Sequence, residues 1–304
     1  MSRVSANLLL ILVAVIWGSA FVAQSRGMTH VGPMTFTGVR FLIGALVVSP
    51  LMWLEWRRLG RLGQSLDKTD AFKIAGLGCL LLMGAAMQQI GIGGTSVTNA
   101  GFLTALYVPL VPVLSWLVLR QAPHWSVWPG ALACVVGAYL LSGAQSLSIS
   151  RGDGWIIAST LPWAFHVLLV GRVADRMGAP FLVAGGQFLV CGLVALAWAV
   201  TWEPINWAGL KAAAGALAYT GVLSVGVAFT AQVVAQRYAH ATDAAIVLSA
   251  ETLFAALFGY WLLGERLNPA GLMGCALIFA SMMAVQLLPL LGLSNRKPVA
   301  QGAA

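Results

Sequence analysis

The chain has 304 residues, 60% of them apolar and only 9% charged, with a mean hydropathy of +0.87, against about 45–50% apolar and about 25% charged in soluble domains. A soluble fold of this length cannot hide that much apolar surface, so the composition excludes a soluble protein and implies an all-α polytopic membrane protein. The net charge of +8 does not point to nucleic acid, because the basic residues sit in short loops and build no face that could track a phosphate backbone.

The first apolar run follows Arg3 and predicts a span over 6–24. It lacks a small-residue cleavage site ahead of a hydrophilic domain, so it reads as a retained span and not as a signal peptide. A second span, 34–54, opens after Gly32-Pro33 and carries Arg40. The segment EWRRLGRLGQSLDKTDAFK follows, amphipathic enough to lie along the headgroups and polar enough to be a solvated linker. The charge-free run Ile74–Leu119 is long enough for two spans, 73–92 and 97–119, divided at GIGGTSVTN. Beyond Ala122-Pro123 comes a fifth span, 126–145. Five more follow at 154–173, 180–200, 208–230, 243–263 and 270–290, with Ala179-Pro180, Glu203-Pro204 and Asn268-Pro269 between them. Residues 293–304 read as a flexible cytoplasmic tail. A cytoplasmic N-terminus puts twelve basic residues on the inner side and four (Arg26, Arg151, Lys211, Arg266) on the other, so both termini are expected inside.

The two halves align on each other. A shift of 144 residues sets Gln88 on Gln232, Thr98 on Thr242, Asn99 on Asp243 and Gly130 on Gly274. With a small indel Arg40 falls on Gln187. Residues 1–150 and 151–292 are therefore expected to be two copies of five spans. An odd number of spans makes the second copy enter from the opposite face, giving ten transmembrane helices as two inverted five-helix repeats.

Three segments carry a family likeness: VIWGSAFVAQ (Val15–Gln24), FTGVRFLIGAL (Phe36–Leu46) and SAETLFAALFGYWLLGERLNPAGLMGCALI (Ser249–Ile278). In them, and over both halves, the chain resembles the EamA-like branch of the drug/metabolite transporter superfamily. The resemblance implies a ten-helix inner-membrane carrier that exports metabolites, amino acids among them, or toxic compounds. It places the family's Trp-Gly on Trp17 and Gly18, its second-span Arg on Arg40, its intramembrane Glu on Glu251 and its loop-end Gly-Glu on Gly264 and Glu265. Thr252 stands where the family commonly has Pro, which implies a straighter ninth helix. Tyr107 occupies the first-repeat position matching Glu251, so the halves are not chemically equivalent.

A carboxylate inside an apolar span costs several kcal/mol, about +2.5–3.5 on the insertion scale, and must face protein or water. Glu251 is thus read either as a substrate, proton or gating group or as a structural partner. Arg40 is its natural counter-charge or an anchor for a substrate carboxylate, with snorkelling to the interface as the plainer reading. Gln88 and Gln232 lie mid-span and either line the pore or bond between helices; Gln232 and Gln236 share one helical face. Trp17 and Trp163 open the first spans of the two copies and, with Tyr107, suit an apolar or aromatic solute, against the alternative of facing lipid. Asn99 and Asp243, at span starts, read as helix caps. Ala14/Gly18, Ala133/Gly137 and Ala255/Gly259 are small pairs that permit close helix approach.

Other chemistries find little support. Four cysteines (Cys79, Cys134, Cys191, Cys275) lie within apolar runs with no paired spacing and read as buried packing. The four histidines show no metal spacing, GIGG is no dinucleotide fingerprint, and there is no phosphate loop or nucleophile–base pair. No cofactor or metal is expected. The sequence therefore supports a secondary transporter, most simply an exporter of small amphipathic metabolites such as amino acids, working as a monomer or weak dimer with the bilayer and a small solute as its partners. An exporter of lipophilic drug-like compounds is the alternative. An integral-membrane enzyme, for which only His240 with Asp243 offers a candidate, and a membrane scaffold are the competing classes.

Overall fold

The computed structural model describes residues 1–121, 125, 127–141, 150–266 and 268–287; the expected tail and the Ala122-Pro123 turn lie outside them. All the described elements are helical. Eight crossings are long and apolar enough to traverse a membrane: α1 (Arg3–Gly27), α2 (Pro33–Arg61), α3 (Lys68–Ile92), the pair α4 (Val97–Thr104) and α5 (Tyr107–Leu119), α7 (Arg151–Met177), α8 (Pro180–Trp202), the run from α10 (Ala214–Tyr219) to α11 (Thr230–Ala235), and the pair α12 (Ala241–Leu248) and α13 (Glu251–Leu263). The expected fifth and tenth spans fall on α6 (Val127–Leu141) and α14 (Pro269–Leu287), whose apolar stretches are shorter and which pack on each other. A short α9 (Trp207–Ala212) precedes α10.

The helix starts follow from their sequences. Ser2, Asp67 and Ser96 cap α1, α3 and α4 by accepting from the backbone N–H three residues on, and Ser150 with Asp153 closes a full capping box at α7. α2 and α8 begin on Pro33 and Pro180, where a missing N–H costs nothing. The expected linker between the second and third spans shrinks to residues 62–67, because α2 continues to Arg61. Arg58 supports that extension by donating to the Gly178 carbonyl (2.5 Å).

α2 and α8 form the most extensive helix pair, and each closes the other's start. The Glu203 carboxylate after α8 accepts from Met34 N (2.8 Å), Thr35 N (2.7 Å) and the Thr35 hydroxyl (2.6 Å) at the beginning of α2. Glu55 near the end of α2 accepts from Leu182 N (2.8 Å) at the beginning of α8. Orphan amides at each N-terminus thereby gain a charged acceptor.

Two crossings are interrupted at matching places. α4 gives way to α5 at Ala105–Leu106, and α12 to α13 at Ser249–Ala250; all four bounds of the first pair recur 144 residues later in the second. In the first, Pro109 has no N–H for the Ala105 carbonyl, which Val108 N takes instead at 3.0 Å. In the second, tightened bonds run from Ala250 N to Val247 O (3.2 Å) and from Thr252 N to Ser249 O (3.0 Å), while the Ser249 hydroxyl bonds the Ile246 carbonyl (2.6 Å). The expectation of a straighter ninth helix is therefore corrected: the crossing is interrupted at Ser249–Ala250 without proline. Both crossings end on a left-handed residue, Arg120 (φ 52°) and Gly264 (φ 70°).

The expected span 208–230 also differs from a plain α-helix. Thr220–Phe229 is wound as a π-helix, a form concentrated at functional sites. Close approach elsewhere relies on glycine. A side chain at Gly18 would meet Ala255 N at 2.7 Å and Glu251 O at 2.8 Å, so α1 lies directly on α13, as the small pairs Ala14/Gly18 and Ala255/Gly259 suggest.

Candidate functional site

The interrupted crossings, the π-helix, α1, α2, α3 and α7 converge on one buried cavity. All seven residues singled out in the sequence border it: Trp17, Arg40, Gln88, Tyr107, Trp163, Gln232 and Glu251. Gln24, Thr104, Ser224 and Phe229 also border it and were not foreseen. Gln24 was legible, since Trp17, Phe21 and Gln24 follow i, i+4, i+7 spacing on one helical face. Ser224 was not, because its carbonyl reaches inward only through the π-helical winding, where it accepts from Trp17 Nε1 at 3.2 Å.

The cavity holds opposite charges that do not meet. Arg40 is 3% exposed, which rules out snorkelling. One of its N–H groups donates to Gln24 Oε1 at 2.6 Å, and its guanidinium lies over the rings of Phe41 (5.2 Å) and Phe36 (5.7 Å). Glu251 is 4% exposed at the first position of α13. The ion pairs among the described residues are Arg3–Asp243, Lys73–Asp70 and Arg237–Asp175, so the counter-charge expected for Glu251 at Arg40 is not realised as a salt bridge.

The two glutamines differ because their neighbours differ. Gln88 donates to the Thr104 hydroxyl (2.9 Å), which donates in turn to the Ala100 carbonyl (2.8 Å). At the 144-residue offset Thr104 becomes Leu248, and neither amide atom of the buried Gln232 has a partner among the described residues. The hydroxyl of Tyr107, Nε1 of Trp163 and Nε of Arg40 are likewise buried without a partner among the described residues. Groups like these normally find one.

Phe229 organises the aromatic wall. Its ring lies 4.6 Å from that of Trp17 and stacks on Trp163 at 5.9 Å and 15°; Phe41 and Phe188 close in behind at 5.8 and 6.2 Å. Beyond it, His166 Nε2 and Gln187 Oε1 lie 2.8 Å apart. That bond joins α7 to α8 as the Arg40–Gln24 bond joins α2 to α1. The cavity itself measures about 40 Å³, room for a few waters and no more.

Several expectations need correcting. Asn99 and Asp243 are not caps; Ser96 and His240 hold those positions. Asn99 instead donates to Thr95 (2.8 Å) and to Asp153 of α7 (2.7 Å), and Asp243 pairs with Arg3 of α1 (2.8 Å). Thr98 and Glu265 hydrogen-bond at the Asn99 end of the bundle, where Arg26 also meets the Leu262 carbonyl; the Arg3–Asp243 pair closes the other end. Gln236, on one face with Gln232, turns to the Val167 carbonyl (2.9 Å). Of the cysteines, Cys134 and Cys191 are buried, whereas Cys79 is exposed and Cys275 half-buried. Among the described residues no cluster of His, Cys, Asp or Glu is placed to hold a metal.

Comparison with known proteins supplies the family. The model of the EamA-like transporter family matches twice, over residues 4–143 and 150–287. The chain belongs to the EamA-like transporter family. An "uncharacterized transporter" of Archaeoglobus fulgidus is 32% identical to this EamA-like transporter over 94% of its chain and 87% of the relative. The uncharacterized transporter YwfM of Bacillus subtilis is 22% identical over 93% and 94%. A solved crystal structure superposes with a TM-score of 0.76 over 97% of this chain and all of the other at 19% identity, a likeness of fold alone. The EamA-like transporter is accordingly a multi-pass, membrane-embedded secondary transporter of small molecules and not an enzyme.

Proposed function

We propose that this transporter exports small amphipathic metabolites, amino acids among them, across the inner membrane by alternating access, with both termini cytoplasmic. One observation carries the reading: a buried guanidinium and a buried carboxylate, not paired with each other, face one aromatic-walled cavity. A zwitterionic solute answers each group, its carboxylate at Arg40, its ammonium at Glu251 and its apolar body between Trp17, Trp163 and Phe229. Gln232 and Tyr107 supply further polar contacts, and Gln88 holds the wall through Thr104. Family relatives known only as transporters leave the solute open, so its class rests on this chemistry.

Alternating access is supported by a two-fold pattern. The helix interruptions recur at one offset, the glutamate caps of α2 and α8 are reciprocal, and residues paired by that offset, Asn99 and Asp243, make clasps at opposite ends of the bundle. Two inverted repeats of five helices, with α6 and α14 as the fifth and tenth, account for all three. With both clasps made and the cavity only about 40 Å³, the conformation is occluded. Opening one clasp at a time, by flexing at Ala105–Leu106 or Ser249–Ala250, exposes the cavity to one face and then the other. Glu251 serves as a proton site, or the carrier runs down the solute gradient.

Export of lipophilic compounds is the second reading, favoured by the Phe229-centred ring cluster. Purified protein in liposomes separates the possibilities: counterflow of chemically unchanged labelled amino acids supports the first reading, exclusive movement of lipophilic solutes the second. Appearance of a new chemical product would contradict both.

A further inference from the structure

α1 borders a second hollow on its other side. Trp17, Phe21 and Gln24 face the central cavity, whereas Ser19, Val22, Ala23 and Arg26 point the opposite way. There they line a groove of about 500 Å³ with α9, α10 and the end of α13. Small residues, Ala213, Gly215 and Ala216, form one side, and Phe258 and Leu262 the other. At its deep end the Ser19 and Tyr219 hydroxyls satisfy each other at 2.5 Å. Seven residues, about 10 Å of helix rise, separate Ser19 from Arg26 at the rim.

The rim is basic. Arg26 is exposed, tethered by a single N–H to the Leu262 carbonyl (3.1 Å), with the rest of its five donors available. His30 lines the rim beside it, Lys211 immediately precedes the groove residue Ala212, and among the described residues no carboxylate lines the groove.

We propose that this groove is a binding site for one phospholipid with an anionic head group. An acyl chain lies in the trough against Phe258, Leu262 and the small residues, and the phosphate meets the Arg26 guanidinium. A free anion has no use for the apolar walls, and a neutral lipid leaves the cationic rim unanswered. The site is distinct from the central cavity, since the body of α1 separates them. Its occupant touches α1, α10 and α13 together.

The test is lipid retention, read by native mass spectrometry on full-length protein offered phosphatidylglycerol or phosphatidylcholine with identical chains. One phosphatidylglycerol is expected to be retained, with about fivefold preference over phosphatidylcholine, the effect of one well-placed basic residue. Arg26→Ala removes the preference while Arg26→Lys keeps most of it. Gly215→Trp, at a position where an added Cβ meets nothing within 4 Å, fills the trough and abolishes retention of both lipids. Variants are compared only when they elute from gel filtration as the parent does. Equal retention of the two lipids by the parent, unchanged preference in Arg26→Ala, or unchanged retention in Gly215→Trp would overturn the proposal. Displacement of the lipid by inorganic phosphate alone, or by a transported amino acid, would also overturn it, the first assigning the rim to a free anion and the second making the groove part of the transport path.

Discussion

Gln232 shows how one neighbour decides whether a buried amide is satisfied. Its counterpart Gln88 is held by Thr104, whereas Leu248 stands where a second threonine would be. Burying an unpartnered amide costs about 1–3 kcal/mol, so Gln232→Leu is expected to melt at the same temperature as the parent or higher while binding solute about tenfold more weakly. Equal solute affinity would return Gln232 to the scaffold. Glu251 yields a sharper contrast. If it carries a proton, Glu251→Gln loses transport driven by an imposed pH gradient but keeps solute binding; assays at two imposed gradients on matched folded protein decide this, and unchanged pH-driven transport removes Glu251 from the mechanism. At this scale the sequence was informative, because a charged or amide group inside an apolar span has few explanations. It was silent on pairing. Nothing in the spacing of Arg40 and Gln24 announced their bond, and helix-start positions suggested caps where Asn99 and Asp243 reach across to other helices.

Elements were legible wherever punctuation is chemical. Pro33, Pro180 and Ser96 mark real starts, whereas α3 begins after Asp67, inside the segment read as a loop, and α2 runs on to Arg61. Two features were hidden. The interruption at Ser249–Ala250 lacks proline, and helix propensity does not reveal it. The π-helical stretch Thr220–Phe229 packs against α1 and α2, and no local pattern in the sequence marked it. The reciprocal caps were also missed, although Glu55 and Glu203 lie 22 and 23 residues beyond the two opening prolines. Loss of the Glu203 carboxylate in Glu203→Ala orphans two amides and a hydroxyl, an expected cost of about 1–2 kcal/mol visible as a lower melting temperature in detergent. Glu203→Gln, which keeps an acceptor, is expected to lose less. Equal melting of all three proteins would mean the cap contributes nothing.

For the whole molecule, composition alone dictated a membrane fold, and the two crossings whose interruptions match do so at the same 144-residue offset that aligns the halves. What sequence could not supply is the conformation: a small central cavity with polar clasps made at both ends. The clasps are Asn99–Asp153 at one end and Arg3–Asp243 at the other, from positions that the offset pairs. The central claim is that one cavity between them opens alternately to the two faces. It is tested most directly by locking each clasp with a reversible disulfide in a cysteine-free background, Asn99→Cys with Asp153→Cys in one protein and Arg3→Cys with Asp243→Cys in the other, and measuring solute counterflow in liposomes. The account predicts that either lock stops counterflow, that reduction restores it, and that each locked protein still binds solute from the unlocked face alone. Counterflow continuing at the parent rate with either clasp locked would contradict it.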